Sequence, residues 1–205
     1  MSRPIMIDLD GVLAQFDPAP TEIANRLWPG KIPTGYRPGD WYWSDVLNKK
    51  EWDAIWDEII KTPDFWLSLS PYPESLIALS FYLGNENPGQ VVYFITSRTE
   101  TAGLSAQAQS ERWLNRYGLF PRHDWLRYGQ RSRVIRVEHP SDKRKWVEDL
   151  NIGASLDDKI ETVRDLQKIP GHAAFLMDRS WNRNLTGVKY RVNSMAEFLQ
   201  SVAGL

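Results

Sequence analysis

The chain contains no cysteine, so neither a disulfide framework nor thiolate chemistry is open to it. It has no apolar run near the roughly 20 residues a membrane-spanning helix needs, and no low-complexity tract. Net charge is almost absent: 25 Lys and Arg stand against 26 Asp and Glu, leaving −1, which argues against a general polyanion binder. Histidine is scarce, and His123, His139 and His172 share no spacing that would let them act together as metal ligands. An apolar segment begins within a few residues of the first methionine, so no signal peptide is expected and a cytoplasmic protein is the simplest reading. What remains is ordinary globular composition, 42% hydrophobic and 25% charged over 205 residues, enough for one substantial domain or for a core carrying an insertion.

The segment Pro4-Ile5-Met6-Ile7-Asp8-Leu9-Asp10-Gly11-Val12 is a strand-length apolar run ending in two aspartates two residues apart. Side chains alternate along a strand, so Asp8 and Asp10 leave its carboxyl end on the same side. Gly11 then permits a sharp exit. Open α/β sheets place their ligands at such strand ends. Two close carboxylates resist joint ionisation unless a cation or a shared proton relieves them. The pair therefore suits a divalent metal, or a nucleophile beside a general acid/base; an Asp-Gly turn of no chemical consequence has the same local sequence.

Beyond it, strands alternate with helices. The pattern predicts strands at 91–96, 133–137, 152–156 and 173–177, and helices at 105–117, 141–150 (capped by Ser141), 160–167 and 194–202. That rhythm implies a three-layer α/β/α, Rossmann-like fold with a mainly parallel sheet. Residues 14–85 break it with short helical patterns at 21–28, 46–59 (capped by Ser44) and 71–83, and hold six of the ten tryptophans: Trp28, Trp41, Trp43, Trp52, Trp56 and Trp66. This stretch is too long for a simple crossover. It reads as a Trp-rich helical cap inserted after strand one, with 1–13 and 86–205 forming the core.

Three later features are placed to join the aspartates. The 91–96 strand ends in Thr96-Ser97-Arg98, Lys143 opens a helix, and the 152–156 strand runs into Asp157-Asp158-Lys159. In a parallel sheet all carboxyl ends share one edge, so these groups can converge. Taken together, Asp8-Leu9-Asp10-Gly11-Val12, Thr96, Lys143 and Asp157-Asp158 resemble the haloacid dehalogenase-like (HAD) phosphohydrolase superfamily. The insertion resembles that superfamily's cap between its first and second motifs.

The resemblance implies a role for each group. Asp8 would be the nucleophile that forms an aspartyl-phosphate, and Asp10 the acid/base. Mg2+ would be held by Asp8, the Asp10 backbone carbonyl, Asp157 and Asp158, while Thr96, Ser97 and Lys143 would hold the phosphoryl oxygens. Lys145 and Lys159 are rivals for the lysine role. Within the superfamily the chain looks most like 5′(3′)-deoxyribonucleotidases and their phage and bacterial relatives, on residues 8–14, Phe16, Phe94-Ile95-Thr96-Ser97-Arg98 and Phe175-Leu176-Met177-Asp178-Arg179-Ser180-Trp181-Asn182. That implies a nucleoside monophosphate as substrate, with Phe16, Trp41, Trp43 and Arg98 as candidate contacts and a homodimer left open. Trp52 and Trp56, four residues apart, read instead as a helix face packed on a core.

Other readings share these motifs: a sugar-phosphate phosphatase or phosphomutase, a polynucleotide 3′-phosphatase, and a non-catalytic binding module. The second would use Arg112, Arg116, Arg122, Arg127, Arg131, Arg133, Arg136, Lys143, Arg144 and Lys145, ten cations against Asp124, Glu138 and Asp142 between residues 112 and 145. Stable nucleic-acid binding is nonetheless not expected, nor is a membrane partner.

Overall fold

Strand β1 (Ile5–Ile7) is buried along its whole length, as befits a short apolar run with a neighbour on each side and layers above and below. The computed structural model describes residues 3–87, 89–119 and 133–203. In it β1 pairs in parallel with β2 (Val92–Thr96), in the register Ile5↔Val92 and Ile7↔Phe94, and with β4 (Ala154–Asp157), in the register Ile5↔Ala154 and Ile7↔Leu156. Strands β3 (Arg133–Arg136), β5 (Ala173–Met177) and β6 (Tyr190–Val192) complete a six-stranded sheet, every pairing parallel, in the order β3-β2-β1-β4-β5-β6.

Alternation along the strands fills two separate cores. Ile5, Ile7, Phe94, Leu156 and Phe175 face one cluster; Met6, Ile95, Ala174 and Leu176 face the other. The second core is closed by α6 (Lys143–Asp149) through Val147 and by α7 (Ile160–Leu166) through Val163 and Leu166. The first is closed by α5 (Ala106–Arg116) through Trp113 and Leu114, by α8 (Met195–Ala203) through Phe198 and Leu199, and by the inserted helices. The three-layer α/β/α fold expected from the sequence is thus the one observed.

Inside the insertion, α1 (Pro18–Leu27) packs on α2 (Lys49–Lys61), the short α3 (Phe65–Ser68) packs on α5, and α4 (Pro73–Phe81) lies along α8 of the core layer. The excursion is tied where it leaves and returns: Gln15 N–H donates to the Ser70 carbonyl and Tyr72 N–H to the Leu13 carbonyl, both at 2.8 Å. Among the described residues no helix is long and apolar enough to cross a membrane.

Local chemistry moved two helix starts. Ser44 does not cap α2, because its hydroxyl and N–H are both engaged by the Asp40 carboxylate. Asn48 caps it instead, in a reciprocal pair with Glu51: each backbone N–H donates to the other's side chain, at 3.1 and 2.9 Å. Ser141 does not cap α6 either. Pro140, with its φ already fixed, opens a 3₁₀ turn (Pro140–Asp142), and Asp142 accepts from His139 N–H at 3.0 Å. Strand β6 was not foreseen, since Lys189 and Arg191 break any apolar pattern at this sheet edge.

One buried side chain ties α5 to the insertion. Gln109, fully buried, accepts from Trp66 N–H at 2.9 Å and donates to Thr101 Oγ1 at 2.9 Å and to the Leu104 carbonyl at 2.6 Å. Gln109→Leu leaves those partners unpaired in a dry environment and is expected to lower unfolding free energy by about 1–3 kcal/mol. Urea denaturation followed by far-UV circular dichroism measures this; an unchanged midpoint would show that the network contributes nothing.

Candidate active site

The strands deliver their carboxyl ends to one edge. Asp8 follows β1, Thr96 ends β2 and Asp157 ends β4. After Asp8 the chain folds back at once: the Leu9 carbonyl accepts from Leu13 and Ala14 N–H, each at 2.8 Å. Gly11 makes this turn possible with φ +72°, and a Cβ there would stand 2.3 Å from Asp158 Oδ2. Glycine is required both for the conformation and for the close approach.

Around this turn lies a cavity of about 70 Å³. Its floor is polar, with Asp8, Asp10, Thr96, Ser97, Lys143, Asp157 and Asp158; its wall is aromatic, with Phe16, Trp41, Trp56 and Trp66. Lys143 is buried between two carboxylates, its Nζ 2.9 Å from Asp8 Oδ2 and 2.8 Å from Asp157 Oδ2. The other oxygens are held by the backbone: Leu9 N–H donates to Asp8 Oδ1 and Lys159 N–H to Asp157 Oδ1, both at 2.8 Å. Asp158 Oδ2 accepts from Trp181 Nε1 at 2.9 Å.

Asp10 stands apart. Its carboxylate is gripped by Arg98, with Nε 3.0 Å from Oδ2 and Nη2 2.8 Å from Oδ1. Arg98 is itself buried, donates from Nη1 to Ser110 Oγ at 3.1 Å, and lies 5.0 Å from the Trp66 ring centroid. The two aspartates of the opening motif therefore have different partners, an ammonium for Asp8 and a guanidinium for Asp10.

Three carboxylates, those of Asp8, Asp157 and Asp158, each offer an oxygen within 4.8 Å of the others, and all three residues are buried. Burial pushes the Asp8 carboxyl up to about 7; Lys143 pulls against it, while Asp157 and Asp10 add repulsion. Burial also holds Asp158 well above the usual carboxylate range, with Asp157 and Asp8 adding to the effect. For Lys143 burial opposes the charge, but Asp157 and Asp8 outweigh it and keep the ammonium above its ordinary value. One ammonium does not neutralise three carboxylates. An oxygen-only, acidic donor set of this kind fits a hard divalent cation.

Thr96, Ser97 and Lys143 line the floor with Asp8 and Asp10, and Phe16 and Trp41 line the wall. Trp43 does not: it is buried between Tyr36 and Trp52, at centroid distances of 5.6 and 5.9 Å, with φ 54° turning it inward. Arg98 reaches the cavity, but its guanidinium is engaged with Asp10 and Ser110. The carboxylate of Asp10 is not among the three clustered for a cation. Lys145 sits on the surface beside Asp149, while Lys159 lines the cavity without pairing to Asp8.

Trp56 and Trp66 were not foreseen as wall residues. Trp56 stacks on Phe16 at 5.7 Å, as does Trp66 at 6.1 Å. Of the basic stretch, Arg122, Arg127 and Arg131 lie outside the described residues, as do His123 and Asp124. Several of the others are engaged locally: Arg116 with the Leu67 carbonyl, Arg136 with Glu138, Arg144 with Glu148 and Lys143 within the site. A larger cavity of about 820 Å³ opens at the opposite sheet edge. There Arg3 donates to three backbone carbonyls, and His172 sits between Ser155 Oγ and the Ile152 carbonyl.

The Asp8 environment has a consequence for stability. Without a cation the fold retains a proton that the unfolded chain releases above its ordinary value of 3.8. At this group the native state then binds more protons than the unfolded one, so the contribution of Asp8 to stability falls as pH rises from about 4 to about 7 and levels off above. A smaller opposite contribution comes from His172, whose imidazole burial holds below its ordinary value. Urea titrations in EDTA across this range should show that slope, reduced in Asp8→Asn, with added Mg2+ most stabilising at the upper end. An equal slope in the variant would refute the burial argument.

A family model for 5′ nucleotidase, deoxy (pyrimidine), cytosolic type C proteins matches residues 2–204. Among solved structures, L-2-haloacid dehalogenase from Xanthobacter autotrophicus, with chloropropionic acid covalently bound, is similar with a TM-score of 0.58 at 11% identity, covering 100% of each chain. A HAD-superfamily hydrolase (subfamily IA, variant 1) from Geobacter sulfurreducens PCA gives 0.56 at 14% identity, over 98% of this chain and 96% of that one. At these identities the likeness to the solved structures is one of fold. No curated protein matches the chain.

Proposed function

The chain belongs to the family of cytosolic type C deoxy-pyrimidine 5′ nucleotidases and is a HAD-type phosphatase, and from that premise we propose that it is a Mg2+-dependent nucleoside monophosphate phosphatase working through an aspartyl-phosphate. The observation that carries the reading is the division of labour within the first motif. Asp8 faces Lys143 and the acidic cluster, while Asp10 is held separately by Arg98. A nucleophile and an acid/base need such different surroundings.

In this reading an Asp8 carboxylate oxygen attacks phosphorus. The P–O bond to the leaving group breaks, and Asp10, entering this step as the carboxylic acid rather than as the ion pair it forms with Arg98, gives its proton to the departing oxygen. Water then attacks the aspartyl-phosphate, its proton passes to Asp10, and the bond between phosphorus and Asp8 breaks to release inorganic phosphate. Thr96, Ser97 and Lys143 hold the non-bridging oxygens during both transfers. Asp8, Asp157, Asp158 and the Asp10 carbonyl would hold Mg2+, which when bound supplies positive charge against the phosphoryl group. Of residues 14–85, the stretch before α4 serves as the cap, while α4 packs on α8 with the core formed by 1–13 and 86–205. Phe16, Trp41, Trp56 and Trp66 receive the base, since each stacked aromatic face is worth roughly 1–3 kcal/mol whichever base it meets.

The test is phosphate release from ribo- and deoxynucleoside 5′- and 3′-monophosphates and from sugar phosphates, in Mg2+ and in EDTA. Turnover of nucleotides should exceed that of sugar phosphates and vanish in EDTA. Asp8→Asn should abolish it; wild-type turnover in that variant would sink the covalent mechanism. A preference for sugar phosphates, or for a 3′-phosphorylated oligonucleotide, would move the substrate assignment. Arg98→Lys keeps the charge but loses the two-pronged grip on Asp10. It is expected to lower kcat by roughly 10- to 100-fold with KM little changed; a fall confined to KM would return Arg98 to the substrate-contact role first expected for it.

A further inference from the structure

Trp181 touches both halves of the site. It lies on a 3₁₀ turn (Ser180–Asn182) just beyond β5, and only 7% of it is exposed. Its indole N–H donates to Asp158 Oδ2 at 2.9 Å, the same oxygen against which Gly11 leaves no room for a Cβ. Its ring meets Trp41 edge-on, at 6.1 Å between centroids and 73° between planes, and Trp41 in turn stacks on Phe16 at 5.5 Å and 12°.

The turn carrying Trp181 is rigidly held. The Asn182 amide donates to the Asp158 and Met177 carbonyls, both at 2.8 Å, while Asn182 Oδ1 accepts from Arg179 N–H at 3.1 Å and Arg191 Nη1 at 3.0 Å. A ring on so firm a base transmits displacement rather than absorbing it.

We propose that Trp181 is a positioning residue that couples the aromatic slot to the carboxylate cluster, so that a flat ligand stacked on Trp41 and a divalent cation beside Asp158 strengthen each other's binding. Filling the slot sets the Trp41 plane, Trp41 sets the Trp181 ring packed against it, and the N–H of that ring aims Asp158 Oδ2. Coupling between two sites is reciprocal: whatever factor the ring adds to cation affinity, the cation adds to ring affinity. The inference rests on the nucleotidase reading for what fills the slot, but its readout needs no turnover.

The experiment titrates Mn2+ into the full chain, with free ion read by electron paramagnetic resonance, in the presence and absence of saturating thymidine. This nucleoside has no phosphate with which to ligate the metal. Thymidine binding alone is read from tryptophan fluorescence. Wild type should bind Mn2+ about 5-fold more tightly with thymidine present, near the lower end of usual coupling factors. Trp181→Phe keeps an aromatic ring on the turn but removes the N–H. It should weaken Mn2+ binding roughly 10-fold, as loss of a partner behind a metal ligand does, abolish the thymidine effect, and leave metal-free thymidine affinity as in wild type.

Trp41→Ala, which removes the slot side of the link, should show no thymidine effect on Mn2+ binding. No thymidine effect in wild type, or wild-type Mn2+ affinity in Trp181→Phe, overturns the proposal. Failure of the nucleotidase reading would appear separately, as absence of phosphate release from nucleotides by the wild-type protein.

Discussion

The buried ammonium of Lys143 is the contact on which the site depends. It links the end of β1 to the end of β4 through Asp8 and Asp157. A buried ion pair of this sort is a poor source of stability, because desolvation offsets most of the Coulomb attraction. Removing one partner is another matter: it strands the remaining charges and typically costs about 3–5 kcal/mol. The arrangement is best understood as a scaffold that keeps three carboxylates closer than they would choose to be, in a place where a cation and a phosphoryl group can use them.

Much of this could be read from the sequence, for reasons that differ by element. The strands around the site were visible because parallel, doubly covered strands must be apolar almost throughout, as Ile5-Met6-Ile7 and Ala173-Ala174-Phe175-Leu176-Met177 are. The floor of the site was visible because each of its residues follows a strand or opens a helix at a fixed place in the fold. Lys143 was separable from Lys145 and Lys159 only by position in the motif, and the structure supplies the physical distinction: it alone pairs with both Asp8 and Asp157.

The aromatic wall was less legible, because its geometry depends on angles that sequence spacing does not resolve. Trp52 and Trp56 stand four residues apart on α2, which rotates them by only about 40°. That is enough to send Trp52 into the core and Trp56 to the slot. Trp43 was misread for a local reason: the Asp40 carboxylate accepts from Tyr42 and Ser44 N–H, closing a turn that points the intervening ring inward. Arg98 was placed by the next helix, α5, whose Ser110 and Trp113 hold the guanidinium beside Asp10.

The seam between Leu13–Gln15 and Ser70–Tyr72 has a wider meaning. The aromatic wall of Phe16, Trp41, Trp56 and Trp66 hangs on a loop whose two ends are fastened to each other beside Asp8 and Asp10. A chain built this way can lengthen, shorten or rewrite the loop while the sheet edge keeps its shape. Changes to the aromatic wall and changes to the carboxylate edge thus fall on separate stretches of the gene, and a lineage can explore the first without risking the second.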